Sequence, residues 1–261
     1  MESTDFHSAL AALDWQIELG ATETIADAPI NRYETPEKAP AMQPISAAAQ
    51  ARPAGASTPA EPEDVIDAAR RAASAAMDLH GLRDALASFE HCELKKGARN
   101  LVFSDGQPGA PVMFIGEAPG RDEDIAGTPF VGQAGQLLDK MLAAIDMGRT
   151  HAHRPVYITN VLPWRPPQNR DPAPQEIAMM RPFVSRHIEL AQPKMVVIVG
   201  NISAQCLLGK RGITRLRGHW TEADGVPALP IFHPAYLLRN PAAKREAWAD
   251  LLALKKRVSG D

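Results

Sequence analysis

The sequence predicts an α/β fold, a three-layer α/β/α arrangement around a central, mainly parallel four-stranded sheet. Three observations predict it. Four short runs are almost continuously apolar and rich in β-branched residues: "PVMFIGE" (111–117), "PVYITNV" (155–161), "KMVVIVG" (194–200) and "ALPIFHP" (228–234). Unbroken apolar character marks strands buried on both faces, as in a parallel sheet. Segments of helical pattern separate the runs, and strands alternating with helices build a layered α/β domain. The runs end in loops crowded with Gly, Pro and polar residues, where such sheets bind their ligands.

Taken in chain order, the elements are these. Residues 8–19, "SALAALDWQIEL", have apolar positions at helical spacing, and 1–27 is expected to be a short helical arm. Residues 28–62 are rich in Pro, Ala and Ser with few large apolar side chains. They cannot repay the entropy of ordering, and a disordered linker is expected. The α/β domain is expected over 63–261. It begins with an Ala-rich stretch, "EPEDVIDAARRAASAAMDLHGLRDALASFE", read as one or two helices broken near Gly81. Further helices are expected at 135–147, 173–191, 203–209 and 242–258.

Composition narrows the function. No apolar run reaches the ~18 residues of a membrane span, and the N-terminus lacks the basic-then-apolar pattern of a secretory signal. The two cysteines, Cys92 and Cys206, do not make a disulfide framework and suit reduced thiols in a cytoplasmic protein. The net charge of −3 hides an asymmetry: residues 149–261 hold 17 Lys and Arg against 8 Asp and Glu. A basic half fits either a face that meets a phosphate backbone or a solvated surface with scattered charge.

Three loops carry the chemistry. If the strands are as expected, "GEAPGRDED", "TNVLPWRPPQNR" and "FHPAYLLRNP" leave neighbouring strand ends and bring Glu117, Asn160 and His233 to one cleft. The first loop is neither G-x-G-x-x-G nor a P-loop. Gly116, Gly120, Gly127 and Gly132 let backbone approach a ligand closely, and Phe130, after a proline, is expected as an exposed ring at the pocket edge or else as a core aromatic. A ring beside close backbone suits a planar ligand such as a base. Asn160 offers both a donor and an acceptor to the edge of an amide-containing ring, or caps a turn. "RPPQNRDPAP" is stiff and basic and suits a sugar–phosphate backbone.

Together, "GEAPGRDEDIAGTPFVGQAGQLLDKML", "ITNVLPWRPPQNRDPAPQEI" and "FHPAYLLRNPAAK" resemble the family 4 enzymes of the uracil-DNA glycosylase superfamily, over roughly residues 87–256. The resemblance implies a DNA repair enzyme that flips uracil out of DNA, hydrolyses its N-glycosidic bond and leaves an abasic site. It implies acids beside the scissile bond at Glu117 and Glu123, an aromatic stacked on uracil at Phe130, an edge reader at Asn160 and a hydrogen-bond donor near uracil O2 at His233. Ala118, in the same substrate pocket, stands where some members of the superfamily place an aspartate. Arg165, Arg170, Arg215, Arg217 and Arg239 are the candidates to grip DNA, and Tyr236, Leu237 or Leu238 the candidate wedge.

The chain departs from the family in one respect. The resemblance implies a four-cysteine [4Fe–4S] cluster, yet Phe89, Trp164 and Met180 occupy three of the four cysteine positions and only Cys92 remains. One thiolate cannot hold a cubane, so no cofactor is expected and the three large side chains are expected to pack as core. The loop 165–174 also lacks the histidine of a covalent-trapping relative, so ordinary turnover is expected. The expected partner is uracil-containing DNA, met by a monomer, with a replication or repair protein as a further partner for the arm. A catalytically idle DNA-binding or recruitment module and a small-molecule nucleosidase are the competing readings.

Overall fold

The structure is a computed structural model that describes residues 64–260. The expected arm (1–27) and linker (28–62) lie outside the described residues.

The first two helices are α1 (Val65–Ala75) and α2 (Leu79–Ser88). The break between them falls at 76–78, ahead of Gly81. Asp78 causes it: its side chain accepts a hydrogen bond from Gly81 N at 2.7 Å and so caps α2. Asp is a strong helix starter, and the glycine lies harmlessly in the first turn. Next come a short turn of helix, α3 (Leu94–Gly97), and strand β1 (Ser104–Gly106). Strand β2 (Val112–Gly116) leads into α4 (Arg121–Ala126) and α5 (Gln133–Ala143). Strand β3 (Val156–Asn160) is followed by the long α6 (Pro174–Ala191). Strand β4 (Met195–Val199) precedes α7 (Asn201–Leu208) and α8 (Ile213–Leu216). The chain ends with β5 (Thr221–Ala223), β6 (Val226–Ile231), α9 (Pro234–Arg239) and α10 (Lys244–Ser259).

The four expected strands form the parallel centre of the sheet. The expected count of four is too low, because among the described residues the sheet has six strands in the order β1-β3-β2-β4-β6-β5. The two extra strands are antiparallel edges: β1 on β3 and β5 on β6. Each has three residues, and "SDG" and "TEA" contain no apolar run for sequence reasoning to find. In contrast, β2, β3 and β4 are buried at every position.

Register then places the site. Gly116 pairs with Asn160 across β2 and β3, and Val199 with Ile231 across β4 and β6. The carboxyl ends of all four central strands are therefore level, and the residues that follow them leave side by side. Helix α6 packs against α1, where the Arg186 guanidinium donates to Ala76 O at 3.1 and 2.7 Å and satisfies a carbonyl at the end of α1.

Candidate active site

A cavity of about 600 Å³ opens at those strand ends, and Glu117, Ala118, Glu123, Phe130, Asn160 and His233 all line it. The sequence-level expectation placed these residues in one cleft, and the structure brings them together.

The floor depends on Gly116. A methyl group there would collide with Asn160 Oδ1 and with the edge of the Phe130 ring. Only glycine lets the ring and the amide meet over the end of β2. Of the two expectations for Phe130, an exposed ring or a core aromatic, the structure has the buried one: only 5% of it is accessible. Its ring stacks on the His233 imidazole, with centroids 5.6 Å apart and planes 27° off parallel. Phe130 also has a φ of +56°, a left-handed conformation that costs a non-glycine residue free energy unless its surroundings impose it.

Those surroundings are specific. Glu123 Oε1 accepts from Val131 N at 3.0 Å and Gly132 N at 2.8 Å, and its Oε2 accepts from Gly120 N at 3.1 Å. On the other side, Arg149 donates to Pro129 O at 2.8 Å and to Phe130 O at 2.5 Å. The Glu123 carboxylate, expected to act in the chemistry, is thus bound up with three loop amides.

Asn160 is 93% buried, and its Oδ1 is the one fully buried side-chain polar atom without a hydrogen-bond partner among the described residues. An unpaired buried acceptor costs about 1–3 kcal/mol. A donor brought into the cavity would satisfy it.

His233 caps α9: its Nδ1 accepts from Ala235 N at 3.1 Å. A ring nitrogen that accepts cannot carry the proton, so in the neutral ring the proton sits on Nε2. Burial, helped by the Arg239 cation, pushes the His233 pKa down to about 4. The residue is a neutral donor at ordinary pH. Glu117 shifts the other way. Burial, then the Asp171 carboxylate, raises it to about 7, against the pull of Arg211 and Arg239. Arg211 and Asp171 also line the cavity. Sequence reasoning did not single them out: Asp171 lies eleven residues beyond β3, and Arg211 lies beyond helix α7, in the connection to α8. Arg149 lay in a connection with no motif.

The expected DNA-gripping residues divide. Arg239 is exposed on the cavity wall, and Arg215 is exposed outside it. Arg170 is exposed and paired with Glu176 at 2.6 Å, and Arg165 is half-buried with its Nε on Asn169 Oδ1 at 2.7 Å. Arg217 is a correction. It pairs with Asp250, which is 2% exposed, donates to Glu246 O at 2.6 Å and lies 5.3 Å over the Phe232 ring. It fastens α10 to the domain and is not free to meet a phosphate. Leu237 is a second correction: at 1% exposure it is core and cannot be a wedge. Tyr236 leans on Phe232 at the cavity wall, whereas Leu238 is 42% exposed.

The cluster positions look different. Phe89, Trp164, Met180 and Cys92 are all at most 5% exposed and belong to the hydrophobic core. Phe89 meets Phe183 edge-on at 5.2 Å. Burial raises the pKa of the Cys92 thiol, and Cys206, also buried, sits on α7 with its thiol raised to about 12. A [4Fe–4S] cluster takes four thiolates, and these four positions supply one. The residues present do not fit the group. Among the described residues, no three His, Cys, Asp or Glu side chains are grouped to hold a metal ion.

Comparison with known proteins matches the same span of chain. The family model described as "Uracil DNA glycosylase superfamily" matches residues 103–252, which run from just before β1 into α10. The chain is 40% identical over 172 residues to the type-4 uracil-DNA glycosylase of Archaeoglobus fulgidus, covering 62% of this chain and 84% of that protein. It is 38% identical over 176 residues to the enzyme of the same name from Sulfurisphaera tokodaii (64% and 79%), and 39% identical over 152 residues to that of Thermotoga maritima (57% and 77%). The matched span holds all four central strands and every cavity residue described above, and on that ground the chain belongs to the uracil DNA glycosylase superfamily.

Proposed function

We propose that this protein is a uracil-DNA glycosylase: it takes uracil out of the DNA stack, hydrolyses the bond between the base and deoxyribose, and leaves an abasic site. The observation that carries the reading is the unpaired Asn160 Oδ1 beneath the Phe130 ring. Uracil presents an N3–H donor on its pairing edge, which this acceptor would satisfy. Cytosine presents an acceptor at the same place, leaving Asn160 Oδ1 unpaired and facing a second lone pair. Discrimination through buried polar groups is large for this reason.

The neighbouring groups suit the bond cleavage. The C1′–N1 bond breaks with its electron pair leaving on the base, while positive charge develops on the sugar. His233 Nε2–H donates to the carbonyl oxygen where the negative charge collects. A neutral, fixed donor is a preorganised stabiliser of this kind. Glu117, as carboxylate, faces the sugar cation and takes the proton of the water that adds to C1′. Glu123 holds the loop and is a positioning residue. Ala118 contributes wall. Arg165, Arg170, Arg215 and Arg239 hold phosphates, and Leu238 is the wedge that replaces the extruded base. The enzyme works without a metal, a reading supported by Phe89, Trp164 and Met180 at the cluster positions.

An end-labelled oligonucleotide with one deoxyuridine tests this. Incubation with the protein and then alkali is expected to cut at that position, with no stoichiometric iron in the same sample. An uncut oligonucleotide that is still bound, in single strands and in U:G and U:A duplexes, would leave a DNA-binding module instead.

A further inference from the structure

Phe130 is held from both sides, and only the Glu123 side was visible in a motif. On the other side stands Arg149, in the connection between α5 and β3. Its side chain is 14% exposed. It bonds Asp139 at 2.9 Å, from α5, and Asp105 at 2.5 Å, from edge strand β1. Two more of its donors go to two consecutive carbonyls, Pro129 O and Phe130 O. A planar guanidinium with five fixed donors suits this task as an ammonium does not. Gly135 completes the seat, since a Cβ there would collide with the Phe130 carbonyl. The residue so gripped has a left-handed backbone, and its ring forms the wall beside Asn160 and His233.

We propose that Arg149, clamped between Asp105 and Asp139, is the positioning residue that sets the Phe130 ring against the bound base. This rests on the uracil-glycosylase reading for its rate effect but not for its structural effect. Two Arg149 donors fix the peptide units on either side of the Phe130 Cα. Losing them frees φ to relax from +56° and swings the ring away from the imidazole. A displacement of about 1 Å in a positioning group can cost on the order of 10²-fold in rate.

The test is a double-mutant cycle with a spectroscopic arm. Arg149→Met is expected to lower the single-turnover rate on uracil-containing DNA about 10–100-fold, with weaker inhibition by free uracil. Phe130→Ala is expected to be comparably slow. In the double variant the two losses should not multiply, because without the ring Arg149 has nothing to position. Arg149→Lys, which keeps the charge between two carboxylates, should recover part of the rate. If Arg149→Met does not fold by circular dichroism, the cycle is run with Arg149→Lys. Losses that multiply, or a wild-type rate, overturn the proposal. The second arm needs no activity: 4-fluorophenylalanine placed at 130 should give one narrow ¹⁹F resonance that shifts or broadens with Arg149→Met. An unchanged resonance overturns the proposal. A protein inactive on uracil, with the expected ¹⁹F change, overturns only the catalytic reading.

Discussion

The strand-end cavity and the four cluster positions are built on opposite principles. In the cavity, polar groups stand in states that cost stability. Asn160 Oδ1 has no partner, Phe130 has a left-handed backbone, and burial pushes Glu117 towards about 7 and His233 towards about 4. At the cluster positions the three replacing residues carry no ionisable group and no left-handed backbone. Phe89, Trp164 and Met180 are buried among apolar neighbours. Perturbed ionisation and strain gather at sites with work to do. The difference teaches that the unpaired acceptor and the strained aromatic stand together where the base would sit, while the volume allotted to a cluster in the resembling family is held by ordinary packing.

Three substitutions break or sharpen this contrast. The largest effect is expected from Asn160→Ala, a loss of about 10²–10³ in single-turnover rate, as for removal of one transition-state contact. Its melting temperature should be unchanged or higher, since an unpaired acceptor goes with it. A large drop in melting temperature would mean that Asn160 is structural. Met180→Ala should do the reverse. A fully buried methionine cut to alanine costs about 2–5 kcal/mol, read by urea denaturation, with the rate per folded molecule within about twofold. A loss of rate without a loss of stability would tie this region to catalysis.

The smallest effect concerns Glu117 and pH. Its folded pKa, about 7, is above the ordinary 4.5, so between those values the folded state holds a proton that the unfolded chain releases. Stability therefore falls as pH rises through that window and is level above it. Glu117→Gln should be more stable than wild type at pH 8, on the order of 1 kcal/mol, and equal to it near pH 4. The wild-type rate should rise with pH through about 7 as the carboxylate forms, and Glu117→Gln should flatten that limb. His233 stays neutral throughout and contributes no inflection above about 4.

Much of this was legible in the sequence, for reasons that can be named. The central strands announce themselves because burial on both faces demands unbroken apolar runs, and the strand-end rule then gathers Glu117, Asn160 and His233. What was missed depends on distant partners. Nothing near Arg217 says that Asp250 will claim it, or that Leu237 rather than Leu238 turns inward on a helix of six residues. Phe130 was placed in the pocket with its burial left open, because that burial follows from Gly116, fourteen positions earlier. Arg149 holds its loop through carbonyls and through an aspartate on a strand too short to see.

Those short strands have a consequence for how the molecule keeps its own company. An open sheet can recruit another copy along an unpaired edge. Here each edge offers three residues, one carrying Asp105 and the other the exposed Glu222, and Gly106 and Gly225 take left-handed turns beside them. Three residues ending in a turn give a foreign strand little to zip onto. The sheet therefore stops at both margins and leaves little edge for another copy to extend.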